Sequence, residues 1–226
     1  METVEYAPGR LVDLVGDRGR RTVLLWHGQQ SNARTAVRPL AELVAGHGLA
    51  VVAPDWNSHA DDGGRDDLLR SVEFARQRAE EPDELVLVGW SLGGAAAAGL
   101  TAQASRYGVH FAHTVCLAGA FMVPDPITGK RPDAWLPDAQ HRSPFTLLHG
   151  VADHAVPVAV SREFASALEQ HDWPVELIEL AADHGSIAGA GYDSVADRYS
   201  AGHDPDTLAD AADVAARIAA AAGIPR

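Results

Sequence analysis

Apolar and polar positions along this chain fall into two patterns. Short, nearly continuous runs of apolar and β-branched residues at 22–26, 50–53, 85–88, 114–117, 145–148 and 175–180 alternate with stretches of helical periodicity. The continuous runs predict buried strands, because a strand covered by helices on both faces has no side to give to water. Residues 35–46, 66–80, 92–105 and 158–171 carry the helical period. A last helix is expected to start near Asp204-Pro205-Asp206 and run through the alanine-rich 208–222, with the aspartate capping free N–H groups and the proline fitting the first turn. Residues 4–15 predict one or two weaker strands at the sheet edge. The whole reads as an α/β architecture, a doubly wound, mostly parallel sheet with helices on both faces.

Two segments break the alternation. Residues 121–143 contain Pro124, Pro126, Pro132 and Pro137, too many for one long regular helix, and are expected to form a short lid or a pocket-lining excursion. Residues 185–203 form a glycine- and tyrosine-containing connection of undetermined role. A length of 226 residues fits a single domain, 1–226.

The candidate chemistry centres on Gly89-Trp90-Ser91-Leu92-Gly93, where an apolar strand passes directly into a small-residue helix. A serine at the apex of such a strand–turn–helix is lifted out of the sheet, and glycines two positions away on either side leave room for the turn. Ser91 is therefore the candidate nucleophile of an acyl-transfer enzyme. It needs a base, and the base needs a carboxylate to fix its tautomer. Among eleven histidines, His184 follows the last predicted strand and is the expected base, with His154 as the alternative. The expected acid is Asp153, in His149-Gly150-Val151-Ala152-Asp153, just beyond another strand; Asp125 and Asp183 remain open. An oxyanion hole takes two backbone donors, here the N–H groups of Leu92 and of Gln29 in the loop after Trp26-His27-Gly28. His27 is expected to shape that loop, with Gln30 and Ser31 as rim contacts. Trp90, Met122 and Trp135 are candidates for lining the substrate pocket.

Taken together, His27-Gly28, Gly89-Trp90-Ser91-Leu92-Gly93-Gly94, His149-Gly150-Val151-Ala152-Asp153 and His184 resemble the α/β-hydrolase superfamily over nearly the whole chain. The small size, the paired glycines after Ser91 and the Asp-x-x-Val-Pro at 153–157 are most similar to the phospholipase/carboxylesterase and dienelactone-hydrolase groups. The resemblance implies a Ser or Cys nucleophile, no cofactor, and hydrolysis of esters, thioesters or lactones. With Ser91 in place and no deep cap, a serine hydrolase of carboxylic esters with small to medium acyl groups is expected. It departs from dienelactone hydrolases in having serine where they typically have cysteine, and from haloalkane dehalogenases and epoxide hydrolases, which use aspartate there. The glycine-rich loop of hormone-sensitive-lipase-like esterases is absent after His27, and no large inserted helical cap is evident. An acyltransferase on the same triad and a non-hydrolytic ligand-binding member of the fold are the alternatives.

Composition narrows the partners. A net charge of −13 argues against nucleic acid or an anionic membrane, both of which need clustered lysine and arginine. The expected partner is a small-molecule ester, the expected assembly a monomer or homodimer, and no metal ligands are assigned. Cys116, the single cysteine, sits in an apolar run and reads as a buried thiol. Neither a basic–apolar leader nor a membrane-length apolar run is visible, so a cytoplasmic enzyme without integral membrane association is expected.

Overall fold

The computed structural model describes residues 1–224. An antiparallel pair, β1 (Glu2–Ala7) and β2 (Arg10–Val15), precedes β3 (Thr22–Trp26). A short 3-10 turn, Arg34–Val37, leads into α1 (Arg38–Gly46), followed by β4 (Ala50–Pro54), α2 (Arg65–Arg78), β5 (Val86–Trp90), α3 (Leu92–Ala102) and the single-turn α4 (Ala104–Tyr107). Then come β6 (His113–Leu117), a 3-10 segment at Pro132–Asp138, β7 (Phe145–Gly150), α5 (Val158–Gln170) and β8 (Val175–Leu180). A small hairpin of β9 (Ala190–Asp193) and β10 (Arg198–Ala201) comes before α6 (Pro205–Ala221).

The main sheet has eight strands in the order β1-β2-β4-β3-β5-β6-β7-β8. From β4 to β8 every neighbouring pair is parallel; β2 pairs antiparallel with both β1 and β4. The strands expected from the continuous apolar runs are all present. β3, β5 and β7 are buried along their whole length, which explains why they show no polar alternation.

Alternate side chains of the strands feed separate layers. Val23 and Leu25 pack with Leu40 and Val44 of α1 and with Val214, Ala215 and Ile218 of α6. Leu24 and Trp26 face the opposite way, onto Leu68, Val72 and Ala75 of α2 and Ala96, Ala97 and Leu100 of α3. Further along the sheet, Phe145 and Leu147 pack against Phe164 and Leu168 of α5. Each such large side chain removed from water is worth about 1.5–3 kcal/mol. α6 starts as its sequence predicts: the Asp204 side chain accepts from the Thr207 N–H at 2.8 Å and Pro205 opens the first turn. A cap of this kind contributes about 1 kcal/mol.

The parallel topology matters for chemistry because every βα connection from β3 to β8 leaves the same edge of the sheet. Residues far apart in sequence therefore meet there. Among the described residues, no helix is long and apolar enough to cross a membrane, and no group of three or more His, Cys, Asp or Glu could hold a metal ion.

Candidate active site

Ser91 stands where β5 gives way to α3. Its backbone has φ 57° and ψ −118°, a conformation that a residue with a Cβ holds only when its surroundings enforce it. Hydrogen bonds on both sides do so. The Ser91 N–H donates to Leu117 O at 2.9 Å, and Ser91 O accepts from Gly94 at 3.0 Å, Ala95 at 3.1 Å and Ala120 at 3.0 Å. The turn is so tight that a Cβ at Gly89 would run into Gly93 O, and one at Gly93 into His27 O. Leu92 is the first residue of α3, so its N–H has no carbonyl one turn back and remains free to bind a developing negative charge.

His184 follows β8 in a loop fixed by a reciprocal cap. Asp183 Oδ1 accepts from the N–H groups of Gly185 at 2.8 Å and Ser186 at 2.7 Å, while the Asp183 N–H donates to Ser186 Oγ at 2.9 Å. The Trp90 indole adds a brace, donating to His184 O at 2.8 Å. The imidazole is thereby set with Nε2 3.0 Å from Ser91 Oγ and Nδ1 2.7 Å from Asp153 Oδ2. A carboxylate only accepts, so the proton sits on Nδ1, and Nε2 presents its lone pair to the serine hydroxyl.

Asp153 divides its oxygens between two tasks. Oδ1 accepts from the N–H groups of Ala155 and Val156, each at 2.8 Å, which leaves Oδ2 for His184. Burial by itself would raise this carboxyl; bonds from His149, His184 and the Val156 N–H outweigh it and hold the group well below the usual carboxylate range. His149 is completely buried at the end of β7. Its Nδ1 lies 2.7 Å from Ser161 Oγ, and its Nε2 lies 2.8 Å from Val156 O and 3.4 Å from Asp153 Oδ2. Both neighbours of Nε2 are acceptors, so that nitrogen carries a proton shared between them. His149 thus ties α5 and the Asp153 loop together, a role the sequence signals only as a histidine inside an apolar strand.

The other candidates are placed elsewhere. Asp125 accepts from the Ile127 and Thr128 N–H groups at 2.9 and 2.8 Å and from the Thr128 hydroxyl, closing a turn of its own. Asp183 serves the cap just described. His154 is exposed on the surface. Cys116 is buried, and burial pushes its thiol upward, away from reactivity.

The loop after β3 lies against Ser91. His27 is fully buried, and its pKa is lowered to about 4, with burial the main cause. Its Nε2 is approached by the N–H groups of Ala33 and Trp56, each at 3.2 Å, so Nδ1 carries the proton and donates to Gly28 O at 2.8 Å. The Gln29 N–H has no acceptor among the described residues. Beyond it, Arg34 links the loop to two buried carboxylates, binding Asp13 at 3.0 Å and Asp55 through a second, shorter contact. The Gln30 side chain takes both backbone groups of one residue in the hairpin: Nε2 donates to Tyr199 O at 3.1 Å and Oε1 accepts from the Tyr199 N–H at 2.6 Å. Ser31 binds Asn57 rather than facing Ser91.

These elements enclose a cleft of about 560 Å³ lined by Gln29, Gln30, Trp90, Ser91, Leu92, Met122, Val123, Val156, His184, Tyr192 and Tyr199, among others. Met122 stands at its margin, 42% exposed, and Trp90 is buried beneath it. Trp135 does not line this cleft. Its indole N–H donates to Thr128 Oγ1 at 2.8 Å, and the Lys130 ammonium lies 4.6 Å from its ring. The 121–143 segment accordingly contributes Met122 and Val123 to the cleft, while Leu136, farther along, packs into the apolar layer of α3 and α5.

No protein-family model matches the chain, and neither does any curated protein. Solved structures do. A propionate-bound esterase, Est2, from Thermogutta terrifontis superposes with a TM-score of 0.70 at 19% identity, covering 100% of this chain and 96% of that one. The same esterase phosphorylated by paraoxon gives 0.71 at 20% identity, with 100% and 96% covered. Esterase B from Lactobacillus Rhamnosis gives 0.69 at 14% identity, with 94% and 81% covered. Likeness at these identities speaks to architecture, and with the strand order and the parallel core already described it establishes that this chain has the α/β-hydrolase fold, in a small form without a large cap.

Proposed function

We propose that this protein is a serine-dependent carboxylic ester hydrolase. The observation that carries the reading is the in-line relay from Ser91 Oγ through His184, 3.0 Å on one side and 2.7 Å from Asp153 on the other. His184 Nε2 takes the hydroxyl proton as Ser91 Oγ attacks the acyl carbonyl. The Asp153 carboxylate steadies the imidazolium, and the Leu92 and Gln29 N–H groups bind the tetrahedral oxyanion. His184 then delivers the proton to the leaving oxygen, and water repeats the sequence to release the acid and free Ser91.

The uncapped cleft of about 560 Å³ suits small to medium acyl groups of esters, thioesters or lactones. The Thermogutta esterase of similar architecture has been solved with propionate bound, with butyrate bound and phosphorylated by paraoxon. By extension, an organophosphate is expected to modify Ser91.

The test is initial-rate hydrolysis of a chromogenic ester series of increasing acyl length, with wild type beside Ser91→Ala. Turnover lost in the variant supports the reading, and equal rates remove Ser91 as nucleophile. Products analysed with an added alcohol separate hydrolysis from acyl transfer. A paraoxon adduct on Ser91 without ester turnover would move the substrate class to thioesters or lactones.

A further inference from the structure

The hairpin of β9 and β10 lies outside the main sheet, yet it forms a wall of the cleft. Tyr199 packs its ring 5.0 Å from Trp90, edge on, and 5.7 Å from the His184 imidazole. Tyr192 continues outward from Tyr199, with ring centroids 5.1 Å apart. A line of aromatic rings therefore runs from the imidazole to the solvent. Tyr192 at its outer end is 55% exposed although it borders the cleft, so much of its ring has no protein partner. Its hydroxyl is engaged by Asp197 within the hairpin, which fixes the ring and takes the phenol out of the chemistry. The Gln30 side chain pins the Tyr199 backbone, so the wall is anchored to the loop that carries Gln29.

On the reading proposed above, the leaving oxygen must come within hydrogen-bond reach of His184 Nε2 to take its proton. Whatever that oxygen carries starts beside the imidazole and meets the ring packed against it. We infer that Tyr199 and Tyr192 form a subsite for the alcohol part of the substrate, and that this subsite selects aromatic alcohols. Offset or edge-on ring pairs add attraction beyond simple apolar contact, enough for about a two- to tenfold preference for an aryl group over a saturated ring of the same size.

The experiment compares benzyl butyrate with cyclohexylmethyl butyrate, whose alcohols match in size and attachment, in wild type, Tyr192→Leu and Tyr192→Phe. The kcat/KM ratio of benzyl to cyclohexylmethyl ester should fall about two- to tenfold in Tyr192→Leu and remain near the wild-type value in Tyr192→Phe, which keeps the ring. A third substrate, the butyl ester of phenylacetic acid, places the ring on the acyl side. If Tyr192→Leu depresses this ester instead of the benzyl ester, the alcohol-side assignment is overturned; an unchanged benzyl preference overturns the subsite itself. Fluorophosphonate labelling of Ser91, measured alongside, separates these outcomes from failure of the hydrolase reading. Wild type that neither labels nor cleaves any ester defeats that reading, whereas labelled, active protein with an unmoved ratio defeats only the subsite.

Discussion

Replacing Ser91 by glycine should make the protein inactive and yet more stable than replacing it by alanine. Both variants lose the Ser91–His184 hydrogen bond, so their difference isolates the backbone. At φ 57° and ψ −118° alanine keeps the Cβ that makes this conformation unfavourable, and glycine does not. Holding a non-glycine residue in such a region costs about 1–3 kcal/mol. Glycine's greater freedom in the unfolded chain returns about 0.4–1 kcal/mol of that. The net expectation is about 1 kcal/mol in favour of Ser91→Gly, or about 2–4 °C in Tm for a chain of this length. Urea unfolding of both variants, followed by tryptophan fluorescence, gives the difference directly, provided the two m-values agree. A Ser91→Gly variant no more stable than Ser91→Ala would show that the turn stores no strain, and that the flanking glycines serve clearance alone.

Other outcomes follow from the same geometry. Asp153→Asn should lower kcat about 10⁴-fold with little change in KM, because an amide can favour the wrong imidazole tautomer; a loss under tenfold would point to another carboxylate. The neutral burial of His27, with its pKa lowered to about 4, means that the unfolded chain binds a proton the native state refuses. Stability should therefore fall as pH drops from about 6.5 towards 4. His27→Gln should reduce that slope in urea titrations at pH 7, 5.5 and 4.5, leaving the share of His113, which burial likewise lowers to about 4. Arg34→Met leaves the carboxylates of Asp13 and Asp55, 1% and 5% exposed, without their shared partner. It should cost about 3–5 kcal/mol, seen as a lower urea midpoint; a change under 1 kcal/mol would mean Arg38, which also binds Asp13, suffices.

Much of this arrangement was legible in the sequence because the relevant signals are local. Continuous apolar runs mark buried parallel strands, and the ends of those strands mark one edge of the sheet, so Ser91, Asp153 and His184 could be nominated without coordinates. What escaped was long-range or short-lived in pattern. β9 and β10 have only four residues each, too few to display an alternation, and the residues between them give no two-residue hairpin signal. Trp135 was misplaced because a proline-rich loop next to a candidate site suggests an aromatic lining; its indole instead found a hydroxyl seven residues earlier in the same segment. The bracing of Asp153 by His149 depends on Ser161 and Val156 arriving from the following loop and helix, which no spacing rule encodes. Trp90 was nominated for the pocket, and its indole N–H proved to hold the backbone of the loop bearing His184.

The bond pair from Gln30 to Tyr199 also bears on how this protein behaves at high concentration. β10 pairs with β9 on one side, with Tyr199 opposite Tyr192, and its other side would present an open N–H and C=O to any passing strand. Edges of that kind recruit second copies and seed aggregates. One glutamine side chain offers a carbonyl and an amide in the same order as a peptide group, and so fills the edge as a third strand one residue long would. Gln30, which a purely catalytic account would treat as expendable, thus closes the hairpin edge at the mouth of the cleft.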